Sequence, residues 1–179
     1  MEQKILEIRV LASIWGDEFA DVFLRWSLPS LLSQGNYQRV LGDGHHMSFY
    51  IYSDAKTMEL LCSREILAPS DGREFRFFCF SDTLFDGKPL DEGIKNSQGR
   101  IDTHELQSRC YMHGMEQLAE HEVVFLFWTA DHVLSDGSLE WAMQQIGYGR
   151  KAIYADYIEI SQESAANELD NYYKNLGQG

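Results

Sequence analysis

The chain has 179 residues, 44% of them apolar and 24% charged, with a formal net charge of −13. That length and composition fit one globular domain, residues 1–179, with a core of its own. The negative balance argues against a nucleic-acid partner, which needs a cationic face, and against docking on an anionic membrane.

No apolar run approaches the roughly 20 residues of a spanning helix. The first residues, "MEQKILEIRVLASIWG", scatter charges where a signal sequence would be apolar. Cys62, Cys79 and Cys110 are far apart and form no CxxC pair. They read as core thiols of a cytoplasmic protein.

In chain order, "ILEIRVLASIW" (5–15) is rich in β-branched residues and ends at Gly16-Asp17, a first strand and its turn. The next stretch, "DEFADVFLRWSLPSLLSQGN", changes to helical spacing. Phe19, Val22, Phe23, Trp26 and Leu28 recur at threes and fours. Pro29 is placed to end or kink this helix, and Gly35-Asn36 stops it. A second strand, "HMSFYIYSD" (46–54), precedes the helix "AKTMELLCSREIL". The third strand, "EFRFFCFSD" (74–82), leads into a polar stretch, Thr83 to Thr103, that reads as a long loop. Thr103 is the expected cap of the helix "THELQSRCYMHGMEQLAEH". "VVFLFWTAD" (123–131) is the fourth strand, and its unbroken apolar run predicts burial on both faces. Asp136 or Ser138 is expected to cap the helix "GSLEWAMQQIGYG". A fifth strand, "RKAIYADYIEIS" (150–161), and a terminal helix, "SAANELDNYYKNL", follow. Phe23, Trp26, Trp141 and Met143 read as core. Strands that alternate with helices predict an α/β domain, a mostly parallel sheet with helices on both faces.

Ligands of open α/β sheets bind at the carboxyl ends of the strands. Three predicted strands end there in Asp54, Asp82 and Asp131. Such carboxylates suit Mg²⁺ or Mn²⁺, and Asp at a strand end equally suits a helix or turn cap. His132 stands beside Asp131 as a candidate further ligand. Arg109 and His113, four apart on one helix, are placed to meet an anion or to lie on a solvated face. No P-loop, G-x-G-x-x-G, G-x-S-x-G or zinc spacing occurs.

The strings "VLASIWGDEFADVFLRWSLPSLLSQGN", "FYIYSD" and "FWTADHVLSDGSL" resemble the nucleotide-sugar half of a bacterial GT-A-type glycosyltransferase. The resemblance covers most of residues 9–160 as an order of elements with a few short strings. It implies a GT-A/Rossmann-like sheet that binds a nucleotide-sugar and transfers the sugar to an acceptor. The strand ends at Ala12, Ser13 and Asp54 would hold the nucleoside. Asp131, with His132, would hold a divalent cation, Mn or Mg, and Arg109 or His113 would add positive charge. Asp136 is the nearest candidate for a base. The familiar D-x-D would need an acid at position 133, where this chain has Val133. The chain also ends near the point where such enzymes build the acceptor half, which suits a minimal, partnered or inactive relative. The alternative is a non-catalytic α/β module that binds a protein partner or itself.

Overall fold

A computed structural model describes residues 5–67, 73–85, 87, 102–119, 122–153 and 166–171. In chain order the elements are β1 (Leu6–Ser13), α1 (Asp17–Val22), a π-helical stretch (Phe23–Ser27), α2 (Leu28–Leu31) and a second π-helical stretch (Gln34–Gln38). They continue with α3 (Arg39–Gly42), β2 (His46–Ser53), α4 (Ala55–Cys62), a short 3-10 turn (Glu65–Leu67), β3 (Glu74–Cys79) and α5 (Phe80–Leu84). The last are α6 (Thr103–Glu116), β4 (Glu122–Thr129) and α7 (Ser138–Gly147), and residues 166–171 are also helical. The predicted fifth strand, from residue 154 on, lies outside the described residues. So does the middle of the predicted Thr83–Thr103 loop. The chain divides into two compact units, Met1–Asp21 with Gly44–Ala130, and Val22–Asp43 with Asp131–Gly179.

The first unit is an α/β sheet. Its four strands are all parallel and run in the order β3-β2-β1-β4. The register sets Ser13 opposite Tyr52 on one side and Thr129 on the other. Side chains alternate across the sheet, so Arg9, Leu11 and Ser13 share a face with Tyr50, Tyr52, Phe78, Phe125 and Phe127. α6 covers this face. Its Leu106 and Cys110 join Leu11, Tyr50, Tyr52, Phe80 and Phe85 in one buried cluster. Gly114 lets the helix approach so closely, because a Cβ there would lie 2.5 Å from Leu11 and 3.1 Å from the Tyr52 hydroxyl. Ile8, Val10, Ala12, Met47, Phe49 and Ile51 fill the other face, all buried. α4 packs against β2 and β3, and the right-handed crossover rule puts it on that second face.

Arg9 is the charged exception in this interior, 1% exposed. Its guanidinium donates to the carbonyls of Gly114 and Gln117 at 2.9 Å and to Leu118 at 3.4 Å. Gly114 is in the last turn of α6, where carbonyls lack a partner within the helix and carry its negative dipole end, and Gln117 and Leu118 follow the helix directly. Glu7 receives the remaining Nε donor at 2.9 Å, and Arg9 stacks over Tyr50 at 4.7 Å. Burial pushes the Glu7 carboxyl up, but hydrogen bonds from Arg9 and Ser48 outweigh it and hold the group below its ordinary value.

β4 departs from the expectation of burial on both faces. β1 and β2 hold the centre and are the buried strands. Among the described residues β4 ends the four-stranded sheet, most of its residues are half-buried, and Phe127 is 48% exposed. Unbroken apolar character reports composition, whereas burial depends on the position in the sheet. Two expected caps also shift by a residue. Asp102, not Thr103, caps α6, with its carboxylate accepting from the N–H groups of His104 and Glu105 at 3.1 Å. Gly137, at φ +82°, occupies the N-cap of α7 in place of Asp136 or Ser138.

In the second unit the predicted amphipathic helix continues past α1 as the π-helical stretch and α2. Pro29 sits in the first turn of α2. A proline here would drive its ring into the carbonyl four residues back. The wider π turn, in which Leu28 N–H reaches Phe23 O, relieves that clash and keeps the rod helical. Phe23 and Trp26 are buried as expected, whereas Trp141 is 54% exposed. The buried residue of α7 is Leu139, and two residues along a helix turn a side chain to the opposite side.

Candidate functional site

In a doubly wound sheet the ligand crevice opens where the strand order reverses, outside the carboxyl ends. With the order β3-β2-β1-β4, that point lies between β1 and β4. Ser13 and Thr129 are the last residues of these strands and face each other in register. Ala12 and Ser13, two of the expected nucleoside contacts, are therefore at the switch point. Both are buried, at 2% and 3% exposure. The Ser13 hydroxyl meets no partner at full hydrogen-bond geometry. Tyr111 of α6 lies close enough to interact with it, but the two groups are not aligned as a hydrogen bond. The Tyr111 hydroxyl donates instead to Trp128 O at 3.4 Å. Burial, with a smaller contribution from Cys110, raises the Tyr111 pKa above that of a free phenol.

Asp54 is tied to the start of α4. Its carboxylate accepts from Thr57 N–H at 3.0 Å and the Thr57 hydroxyl at 2.7 Å, and so caps α4. Thr57 Oγ1 in turn accepts from Gly16 N–H at 3.0 Å. The turn after β1 is thus tied to the start of α4, and Gly16, at φ +84°, supplies the left-handed residue it needs. Burial would raise the Asp54 pKa, yet the Thr57 hydroxyl and nearby backbone N–H groups hold it below the ordinary value.

Arg109 and His113 also have partners within the chain. Arg109 pairs with Glu105 one turn earlier at 2.6 Å and lies over the Phe85 ring at 5.5 Å. His113 Nδ1 lies 2.8 Å from the Tyr52 hydroxyl, and its ring meets Phe78 edge-on. Burial lowers the His113 pKa, against the pull of Glu116. The Tyr52 phenol is pushed up, chiefly by burial and then by Cys110. Asp82 lies in the first turn of α5.

The remaining candidates belong to the second unit. Asp131 forms a turn with Ala130 directly after β4, and His132 follows it half-buried. Asp136 Oδ1 accepts from the Ser33 hydroxyl at 2.7 Å and from Gly35 N–H at 2.8 Å. Gly35 has no room for a side chain, since a Cβ would sit 2.6 Å from the Asp136 carboxylate. Asn36, fully buried, donates to the carbonyls of Ser30 and Ser135 and accepts from Leu139 N–H at 3.0 Å. Ser30 Oγ accepts from Leu134 N–H at 2.9 Å. These bonds hold the 131–139 loop to the 30–36 segment.

Among the described residues no three His, Cys, Asp or Glu side chains gather as the cation expected at Asp131 and His132 would need. Little in the sequence pointed to Thr57, Tyr111 and Asn36. Their roles depend on neighbours 41, 17 and 103 positions away. No family model, curated protein or solved structure matches this chain.

Proposed function

We propose that the chain binds a nucleotide-sugar at the carboxyl ends of β1 and β4, as the donor half of a GT-A-type glycosyltransferase does. The observation that carries this reading is the reversal of strand order between β1 and β4, with Ser13 and Thr129 paired at their ends. The order β3-β2-β1-β4 is also the start of the doubly wound order 3-2-1-4. Transfer of the sugar to an acceptor remains part of the proposal. No step is assigned to a metal, and Asp136 is a poor base because its carboxylate holds Ser33 and Gly35.

A second reading, a non-catalytic α/β binding or self-association module, has its own support. Asp54 and Asp136, two carboxylates that the transferase reading would use, are committed to holding the fold.

A thermal-shift screen against UDP, GDP, CMP and their sugar conjugates, with and without Mn²⁺, separates the two. The screen would compare wild type with Thr129→Val and Asp131→Asn. A ligand at about 100 times its dissociation constant stabilises by about 2.7 kcal/mol. For a chain of this length that is a shift of about 5–10 °C. The nucleotide-sugar reading expects such a shift for one nucleotide class, reduced in Thr129→Val. No shift with any nucleotide would discard it and leave the module.

A further inference from the structure

At the end of α6 the hydrogen-bond partners of His113 fix where its ring proton sits. Gln117 follows the helix directly. Its side-chain Nε2 lies 3.2 Å from the His113 carbonyl and 3.2 Å from His113 Nε2. A carbonyl only accepts, so the part of the Gln117 amide turned to it is the NH2. The other hydrogen of that NH2 meets His113 Nε2, which presents its lone pair. In the neutral ring the proton therefore sits on Nδ1 and is donated to the Tyr52 hydroxyl, 2.8 Å away. The ring stands edge-on to Phe78 at 5.1 Å and to Tyr52 at 5.6 Å, which holds it in this setting.

A second proton can go only to Nε2, where it points at the Gln117 NH2, donor against donor. Turning the amide over does not help, because its oxygen would then face the His113 carbonyl. Tyr52 and Phe78 hold the ring, so the half-buried Gln117 side chain is the part that gives way. We propose that His113 and Gln117 form an acid-sensitive catch on the C-terminal end of α6, closed while the ring is neutral and opened when a proton on Nε2 expels the Gln117 side chain. The helix end is then left to Arg9, which still holds the carbonyls of Gly114 and Gln117. The neighbouring groups leave the change to His113. Burial pushes the Tyr52 phenol on β2 and the Cys110 thiol on α6 up, away from neutral pH. On β1 Arg9 pairs with Glu7, on β3 Arg76 pairs with Glu74, and on α6 Arg109 pairs with Glu105. Burial lowers the His113 pKa and outweighs the pull of Glu116, so the catch is closed at neutral pH. It does not rest on the nucleotide-sugar reading.

The test is an NMR titration of the nitrogen-15-labelled full chain between about pH 8 and 5, across the ordinary histidine range. Long-range imidazole spectra read the tautomer. The Nδ1–H form is expected at the alkaline end, and an Nε2–H ring there would overturn the proposal. The Gln117 side-chain NH2 signals and the backbone amides of Gln117 and Leu118 should move with the midpoint of His113. The amide of Leu106, buried towards the other end of α6, should not follow it. Gln117→Ala removes the donor to Nε2 and should raise the His113 midpoint by about half a unit or more. Gln117→Glu should raise it further, because a carboxylate pairs with the protonated ring, and acid then closes the catch instead of opening it. Position 117 is half-buried beyond the helix, so both variants should fold, which the melting temperature at about pH 8 checks. Gln117 signals indifferent to the His113 titration, or a His113 midpoint unmoved by both substitutions, would overturn the catch.

Discussion

Replacing Arg9 by Met tests how the sheet holds its covering helix. Met keeps much of the length and all of the apolar stem, so the packing against Tyr50 largely survives. What disappears is the set of donors to Gly114 O, Gln117 O and Leu118 O, and to the Glu7 carboxylate. Removing one partner of a buried charge pair costs about 3–5 kcal/mol, because the other charge is left without compensation. Glu7 keeps the Ser48 hydroxyl at 2.8 Å and is itself 14% exposed, so the lower end, about 3 kcal/mol, applies. At about 2–4 °C per kcal/mol the melting temperature should fall by about 6–12 °C. Circular dichroism melts read this directly. The paired change Arg9→Met with Glu7→Gln should recover part of the loss, since the stranded charge goes with it. A fall of under about 3 °C, or no recovery in the double variant, would refute the view that Arg9 caps α6 from inside the sheet.

Other substitutions probe the remaining contacts. Asp54→Ala should cost about 1 kcal/mol as a lost N-cap, with Asp54→Asn close to wild type in urea melts, and equal losses would mean the charge matters more than the cap. Gly35→Ala should cost about 1–3 kcal/mol by forcing the Asp136 carboxylate away. Its cost should shrink in an Asp136→Ala background, and strict additivity would contradict the contact. Burial holds the folded-state pKa of His113 below its ordinary 6.5, so the unfolded chain binds the proton more readily. Stability that is present above about pH 6.5 is therefore lost as pH falls through that value towards the lower folded one. His113→Gln should flatten the decline in melting temperature between about pH 7 and 5, and parallel curves would exclude this role. Cys110, pushed up to about 12 by burial, and the buried Cys79 should react with an aromatic disulfide reagent only on unfolding, whereas exposed Cys62 reacts in the native state.

How much of this was legible in the sequence depended on whether the cause was local. The four strands were readable, because apolar periodicity and the Gly16-Asp17 and Ser53-Asp54 boundaries are local signals, whereas the third strand stops at Cys79 and the expected Ser81-Asp82 end lies inside α5. The helix through Pro29 was readable, but its π-helical form was not, because the widening answers a steric clash within a rod that already exists. The relative burial of β4 and β1 was lost, since it depends on strand order and the two sequences are similarly apolar. Of the candidate site, Ala12 and Ser13 did fall at the switch point, because a strand's carboxyl end can be read from its pattern. Asp54 and Asp136 were seen as acids in suggestive places. Their commitment to Thr57 and to Gly35 depends on pairings within and across turns that one sequence does not display. Arg9 shows the same limit most clearly, a charge inside a strand whose carbonyl acceptors lie more than 100 residues away.

The most direct measurement is a titration of isotope-labelled protein with a nucleotide-sugar, followed by backbone amide shifts. The class used would be the one that stabilises the protein best. The account predicts the largest changes at Ser13 to Asp17 and at Thr129 and Ala130, the ends of β1 and β4. Changes confined to the opposite ends of the strands, or none at saturating ligand, would contradict it.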